Sequence, residues 1–408
     1  MVPFAVPGVL RVSDFRRFWV ASLISNCGSW LQVVAAGWLV QQLTHSPAAV
    51  GALALVARGP AFVLSVAGGQ LADRFPRRLV GIWTFAVQGA ASAAMALLAW
   101  SGHLGLWSIY VLTFALGVGF ALGLPAMLAM VPALVPHERL SQAVSLNAAG
   151  INMARFVGPA LGGALFDLAG PTWCFTVNST SFLALVLVLM VVRPREPAAG
   201  ATAVPLGAAL RVAWHDPAIR RLLVGMMGFA AFAAPTQELA PVVADALHAG
   251  PSGLGMLLGA MGCGALLGAW LLDMLQRRGL RRGTALPLAT LIFGVGMCGV
   301  AAAPVFPLAL GAMAFCGAFW IWLFIATNTS VQLRAPHSMM GRMLGFYQLS
   351  VVGPIAIGSM GAGALAGRVG IHASLALCAA VLVAAGAWGL LHPVPEIDGT
   401  RAPEPGVG

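Results

Sequence analysis

The sequence predicts an all-α integral membrane protein, with twelve transmembrane helices in two pseudo-symmetric six-helix bundles. Three observations predict it. Apolar stretches of twenty or more residues recur from end to end, the signature of bilayer-spanning helices. The arginines fall almost entirely in alternate connections. A stretch in the first half is echoed 200 positions later. Composition excludes a large soluble core. Only 8% of the 408 residues are charged and mean hydropathy is +0.90, whereas a soluble domain carries about 25% charged residues.

Hydropathy and helix breakers set the spans at about 17–41, 48–72, 79–100, 104–130, 141–166, 171–192, 220–243, 250–273, 284–302, 305–332, 341–366 and 370–391. The first is too long, and lacks the small-residue cleavage site, for a signal peptide. Short links such as THSPAAV after the first span permit only antiparallel neighbours. The longest hydrophilic stretch, 193–219, lies at the midpoint. The expected domains are therefore a six-helix bundle at 1–192, a cytoplasmic central loop at 193–219, a second bundle at 220–391 and a disordered cytoplasmic tail at 392–408.

All 22 basic residues are arginine. With twelve spans, nineteen of them fall on one side, including Arg16, Arg17, Arg74, Arg77, Arg78, Arg139, Arg220, Arg221, Arg277, Arg278, Arg334 and Arg342, while the other side has only Arg368. The positive-inside rule then puts both termini in the cytoplasm. The net charge of +10 is thus read as topology and not as a nucleic-acid surface. The echo pairs Pro136-His137 with Pro336-His337, Gly163-Ala164-Leu165 with Gly363-Ala364-Leu365, and Gly170 with Gly370. Span 5 corresponds to span 11, and repeated halves are a recurring transporter plan with the site between them.

The stretch Gly69-x-x-x-Asp73-Arg74-x-Pro76-Arg77-Arg78 resembles the loop signature of the major facilitator superfamily, with Pro76 where Gly is usual. Gly158-Pro159-x-x-Gly162-Gly163 resembles the superfamily's exporter-type motif. The loop after span 8 keeps Asp273 and Arg277-Arg278 but has Met274 where the motif has Arg, and the fourth span, through Leu112-Thr113-Phe114, lacks the superfamily's arginine. Phe15-Arg16-Arg17-Phe18-Trp19, Arg58-Gly59-Pro60, Gly123-Leu124-Pro125-Ala126 and the glycine-rich 250–269 together resemble the bacterial subgroup that includes the enterobactin exporter and macrolide-type drug efflux proteins. The resemblance implies the major facilitator fold and a secondary active exporter of a hydrophobic or amphipathic small molecule, drug or siderophore-like, working by alternating access and proton antiport. It also implies that Gly69, Asp73, Arg74, Arg77 and Arg78 form a conformational latch, with Asp73 contacting a helix end in the other half. The alternative is a facilitator or proton symporter taking up a small metabolite.

Charges inside spans are costly and mark function or a partner. Arg58 either serves the cavity or donates to helix-end carbonyls beside Gly59-Pro60. Arg155 either lines a cavity with Asn147 and Asn152 or pairs with another segment. Glu238, after Gln237, is the carboxylate placed most clearly inside an apolar segment, and either serves the proton coupling that the resemblance implies or stands wetted by the outer vestibule near Asp245. Asn26, Gln32, Gln237, Asn328 and Gln348 either line the cavity or join helices by hydrogen bonds. Trp30, Phe319, Trp320, Trp322 and Tyr347 offer flat apolar contact or anchor at the interface. Gly158, Pro159, Gly162 and Gly163 are expected to pack helices closely. No catalytic or metal-ligating constellation occurs, and a chain without lysine can hold no nucleotide-binding P-loop. An enzyme is therefore not expected, nor a cofactor, a metal or a nucleic-acid partner. The energy source expected is a proton gradient, and the partners are a small-molecule substrate, protons and the lipid bilayer, with the protein a monomer.

Overall fold

The computed structural model describes residues 8–194, 206–278, 282–336 and 339–392, and these are helical without a strand. The long helices are α1 (Ser13–Thr44), α2 (Pro47–Arg74), α3 (Arg77–Trp100), α4 (Leu106–Ala133), α5 (Leu140–Ala169) and α6 (Pro171–Val191). After a short α7 (Leu206–His215), the seventh span is built from α8 (Pro217–Ala233), α9 (Pro235–Glu238) and α10 (Ala240–Ala246). Then follow α11 (Gly250–Arg277), α12 (Arg282–Ala302), α13 (Phe306–Arg334), α14 (Met340–Val369) and α15 (Ile371–Leu391). Helices of this length rise about 30–45 Å, enough to cross a hydrocarbon core of about 30 Å. Among the described residues, eleven spans are long and apolar enough by length and composition alone. The thirty-residue α5, diluted by Asn147, Asn152, Arg155 and Asp167, is the twelfth.

Two features depart from the sequence reading. The central stretch, expected as a loop at 193–219, contains the helix α7. The seventh span, expected unbroken at 220–243, is interrupted at Ala234 and Leu239. Pro235 and Pro241 have no N–H to give to the carbonyl four residues back, so the helix restarts at each.

The chain folds into two compact units. The first comprises Met1–His45, Val56–Ala199 and Ala249–Gly259. Its core gathers Phe15, Phe18, Met130, Leu134, Leu185 and Leu189. A buried polar network joins α1, α3 and α6. Ser92 Oγ donates to Gln32 Oε1 at 2.6 Å, and Asn178 Nδ2 donates to the same oxygen at 2.5 Å. Trp19 Nε1 donates to Leu146 O at 2.9 Å, tying α1 to α5.

The second unit comprises Ser46–Leu55, Gly200–His248 and Ala260–Gly408. Its interior holds Phe229, Phe293 and Trp320, with ring centroids 5.1 to 6.0 Å apart.

The echo seen in sequence recurs as geometry inside each unit. Gly170 and Gly370 join α5 to α6 and α14 to α15 with φ of 81° and 85°, a region that favours glycine. Their N–H groups donate to Phe166 O and Ala366 O at 2.8 and 2.9 Å. Cys174 Sγ faces Gly162 O at 3.7 Å, and Ser374 Oγ donates to Ala362 O at 2.8 Å. A Cβ on Gly163 would lie 2.5 Å from Pro251 O, and one on Gly363 would lie 2.5 Å from Pro47 O. Each unit therefore holds the same helix crossing, made from matched positions of the sequence.

Candidate transport site

The residues singled out on α1 and α5 meet in the first unit. The Arg155 guanidinium sits 5.9 Å from the centroid of the Trp30 ring, close enough for a cation–π contact. Gly158, one turn away, lets α5 approach, since a Cβ there would lie 2.6 Å from Trp30 Cβ. Asn26 and Asn152, both half-buried, donate to Ser22 O and Ala148 O of their own helices at 2.8 and 2.9 Å. Asn147 is half-buried on the same helix as Arg155. Gln32 belongs instead to the buried α1–α3–α6 network, where the hydrogen-bonding alternative describes it. Arg58 is half-buried in α2, two residues before Pro60.

The exporter-type motif packs α5 on two sides. Gly162 faces Leu31 of α1, with a Cβ position 2.9 Å from Leu31 Cα. Gly163 and Pro159 face the first turns of α11 at Pro251, Ser252 and Gly255. Asp167, which sequence reading did not single out, accepts from Ser252 N at 3.2 Å and from Ser252 Oγ, so it caps the start of α11.

In the second unit Glu238 is half-buried at the end of α9, its N–H donating to Ala234 O at 2.9 Å. Gln237 precedes it, also half-buried, and Thr236 is fully buried with no hydrogen-bond partner for its hydroxyl. Interrupted helices are tolerated in a membrane where protein or a water-lined cavity satisfies the freed backbone groups. On α13, Gln332 donates to Asn328, while Gln348 on α14 is exposed. Tyr347 is buried and donates to Phe324 O at 3.2 Å. Phe319 stacks on Trp322 at 5.5 Å, so these aromatics pack on each other. An apolar cavity of about 510 Å³ lies among α8, α14 and α15, lined by Met227, Phe232, Pro354, Ile357, Leu365 and Cys378 among others.

The loop signature resolves into separate jobs. Arg78 donates to Leu189 O at 2.5 Å and to Met190 O, holding the last carbonyls of α6. Arg77 donates to Ala129 O of α4 at 3.3 Å, and Arg74 is exposed. Gly69 has nothing within 4 Å of its Cβ position, whereas Gly68 has Ala121 O at 2.6 Å. The side chain of Asp73 lies outside the described residues.

One ion pair, Arg334 with Asp216, had no place in the sequence expectations. Asp216 Oδ1 accepts from Ala218 N and Ile219 N at 2.9 and 3.0 Å, capping α8, while Oδ2 accepts from Arg334 Nε at 3.0 Å. The signal for the cap was present as Asp-Pro at a helix start. The partner, 118 residues away, had no local signal.

Twelve apolar helices in two internally echoed halves, with a charge-bearing interrupted seventh span, define a multi-pass membrane transporter of the major facilitator fold. The family model described as transmembrane secretion effector matches residues 5–405, and the chain belongs to that family. The enterobactin exporter of Citrobacter koseri is 28% identical over 400 residues, covering 96% of this chain and 94% of the relative. That of Shigella boydii serotype 18 is 28% identical over 354 residues, 85% and 83% of the two chains. Among solved structures, an inward-facing bacterial homologue of the human lysosomal transporter Spinster has a TM-score of 0.72 at 15% identity, covering 95% of this chain and 97% of its own. A D-xylose-proton symporter has a TM-score of 0.70 at 17% identity, covering 94% and 99%. These two share the fold.

Proposed function

We propose that the protein is a secondary active exporter that carries a hydrophobic or amphipathic small molecule, drug or siderophore-like, out across the bacterial inner membrane. The observation that carries this reading is the match to the enterobactin exporter of Citrobacter koseri, which leaves 4% of this chain outside the aligned region. Both termini face the cytoplasm in this reading, supported by the nineteen-to-one distribution of arginines. The halves at 1–192 and 220–391 alternate access, the protein working as a monomer. Proton antiport supplies the energy. Glu238 is the coupling carboxylate, on the ground that a carboxyl beside a break in a spanning helix can exchange its proton with either side as access alternates. Arg155 with Trp30 offers a cation and a flat ring to the cargo, and Arg58 a second cation.

The test is transport in proteoliposomes with an imposed pH gradient, scanned over siderophores and hydrophobic drugs. Gradient-driven export is expected for the wild type, and its loss for Glu238→Gln. Equal transport with and without the gradient in both proteins refutes proton coupling. Gradient-driven export retained in Glu238→Gln removes that residue from the coupling and leaves the exporter standing.

A further inference from the structure

The ten-residue helix α7 presents an unusual surface. Among its described side chains Ala209 and Ala213 are buried, and α7 packs on α8 and α14. Its exposed side divides lengthwise. Leu210 and Trp214, one turn apart, are 54% and 62% exposed. Arg211 and His215, also one turn apart, form the exposed basic strip beside them. Arg220 and Arg221 of α8 are exposed next to this strip. Arg220 donates to Trp214 O at 3.1 Å, and its guanidinium sits 6.0 Å from the Trp214 ring centroid. The carboxylate in this stretch, Asp216, is turned inward onto Arg334 and the α8 backbone, so it does not neutralise the exposed strip.

We infer that α7 and the first turn of α8 form a docking surface for anionic phospholipid headgroups, with Leu210 and Trp214 seated at the acyl boundary and Arg211, Arg220 and Arg221 on the phosphates. The continuity of the chain supports this partner. Pro217 starts a membrane-crossing helix directly after α7, which keeps the exposed strip at headgroup depth. A soluble acidic partner would match the arginines but would leave Leu210 and Trp214 in water. A bilayer edge satisfies both halves, because tryptophan and aliphatic side chains partition to the interface and guanidinium groups fork onto phosphate oxygens. The leaflet is cytoplasmic if the proposed orientation holds, and anionic headgroups are the chemistry a basic interfacial helix reads there.

The experiment is hydrogen exchange of residues 207–215 in the full-length protein, in nanodiscs of phosphatidylcholine with and without one quarter phosphatidylglycerol. Nanodiscs expose both faces and the measurement involves no transport, so failure of the exporter reading or of the orientation cannot mimic failure here. Exchange of α7 is expected to slow roughly fivefold or more with the anionic lipid, the factor one arginine near a charged surface supplies. The variant R211Q/R220Q/R221Q is expected to lose the slowing, and R211K/R220K/R221K to keep it. Equal exchange in the two lipids overturns the proposal, as does slowing that survives in the glutamine variant. Slowing by inorganic phosphate in phosphatidylcholine discs also overturns it, since the surface would then be a general anion site.

Discussion

Asp216 performs two tasks with one carboxylate. One oxygen caps the start of α8 by accepting from two backbone N–H groups, and the other holds Arg334 at the far end of α13. Its side chain is 6% exposed and that of Arg334 is 23% exposed, so solvent screens the pair only weakly. Removing the carboxylate leaves a largely buried guanidinium without this partner and two helix-start donors without their acceptor. Asp216→Ala is therefore expected to destabilise by about 2–4 kcal/mol, combining a lost cap with a broken pair. Asp216→Asn keeps an oxygen for the cap and should cost less. Thermal unfolding in detergent checks the order, and equal midpoints for the two variants would contradict it. Arg78 illustrates the same point for a motif. Its place in the sequence is set by the family spacing, but the side chain spends its donors on the end of α6.

At the scale of the helix, neighbouring glycines differ. Gly68 meets the α4 backbone at Ala121 O, whereas Gly69, the one that belongs to the loop signature, faces open space in this structure. A methyl group at Gly68 must displace backbone, and Gly68→Ala is expected to cost about 1–3 kcal/mol. Gly69→Ala is expected to be neutral or to stabilise by up to about 1 kcal/mol, because alanine suits a helix better than glycine. Thermal midpoints of the two variants, with transport rates beside them, test this. A stability loss at Gly69→Ala equal to that at Gly68→Ala would show that another conformation uses Gly69 for packing. The broken seventh span is a case where local sequence held the signal and apolarity concealed it. Pro235 and Pro241 are visible breakers, yet residues 220–243 are apolar enough to read as one helix. The helix α7 was concealed for the opposite reason. Its ten residues sit in a Pro- and Ala-rich stretch, and the buried positions among its described side chains are the small Ala209 and Ala213, which do not register as a hydrophobic stripe.

At the scale of the whole molecule, the relation of Gly163 to Gly363 and of Gly170 to Gly370 shows how far a repeat in sequence reaches. The same positions make the same close approach and the same positive-φ corner in each unit. Such repeats suit a machine whose halves exchange roles, and the loop signature at residues 69–78 is proposed as the latch for one of its states. Asp73→Asn is expected to impair transport while leaving topology intact. Transport at the wild-type rate, with labelling of introduced cysteines confirming unchanged topology, would refute the latch.

The sequence by itself determined that the chain crosses a membrane, how often, and that its halves repeat. Those properties follow from hydropathy, from arginine counts and from glycines at matched positions, all of which are local or additive along the chain. Only the tertiary structure decided which polar side chains are spent on holding helices together. Gln32 and Asn178 are 146 residues apart and share one hydrogen bond. Asp216 finds Arg334 across 118 residues, Asp167 caps a helix start 85 residues on, and Arg155 rests over Trp30. The physical reason is that a hydrogen bond or ion pair in a membrane-embedded bundle depends on which helix faces meet. Helix rotation and crossing set those meetings, and no single segment contains either.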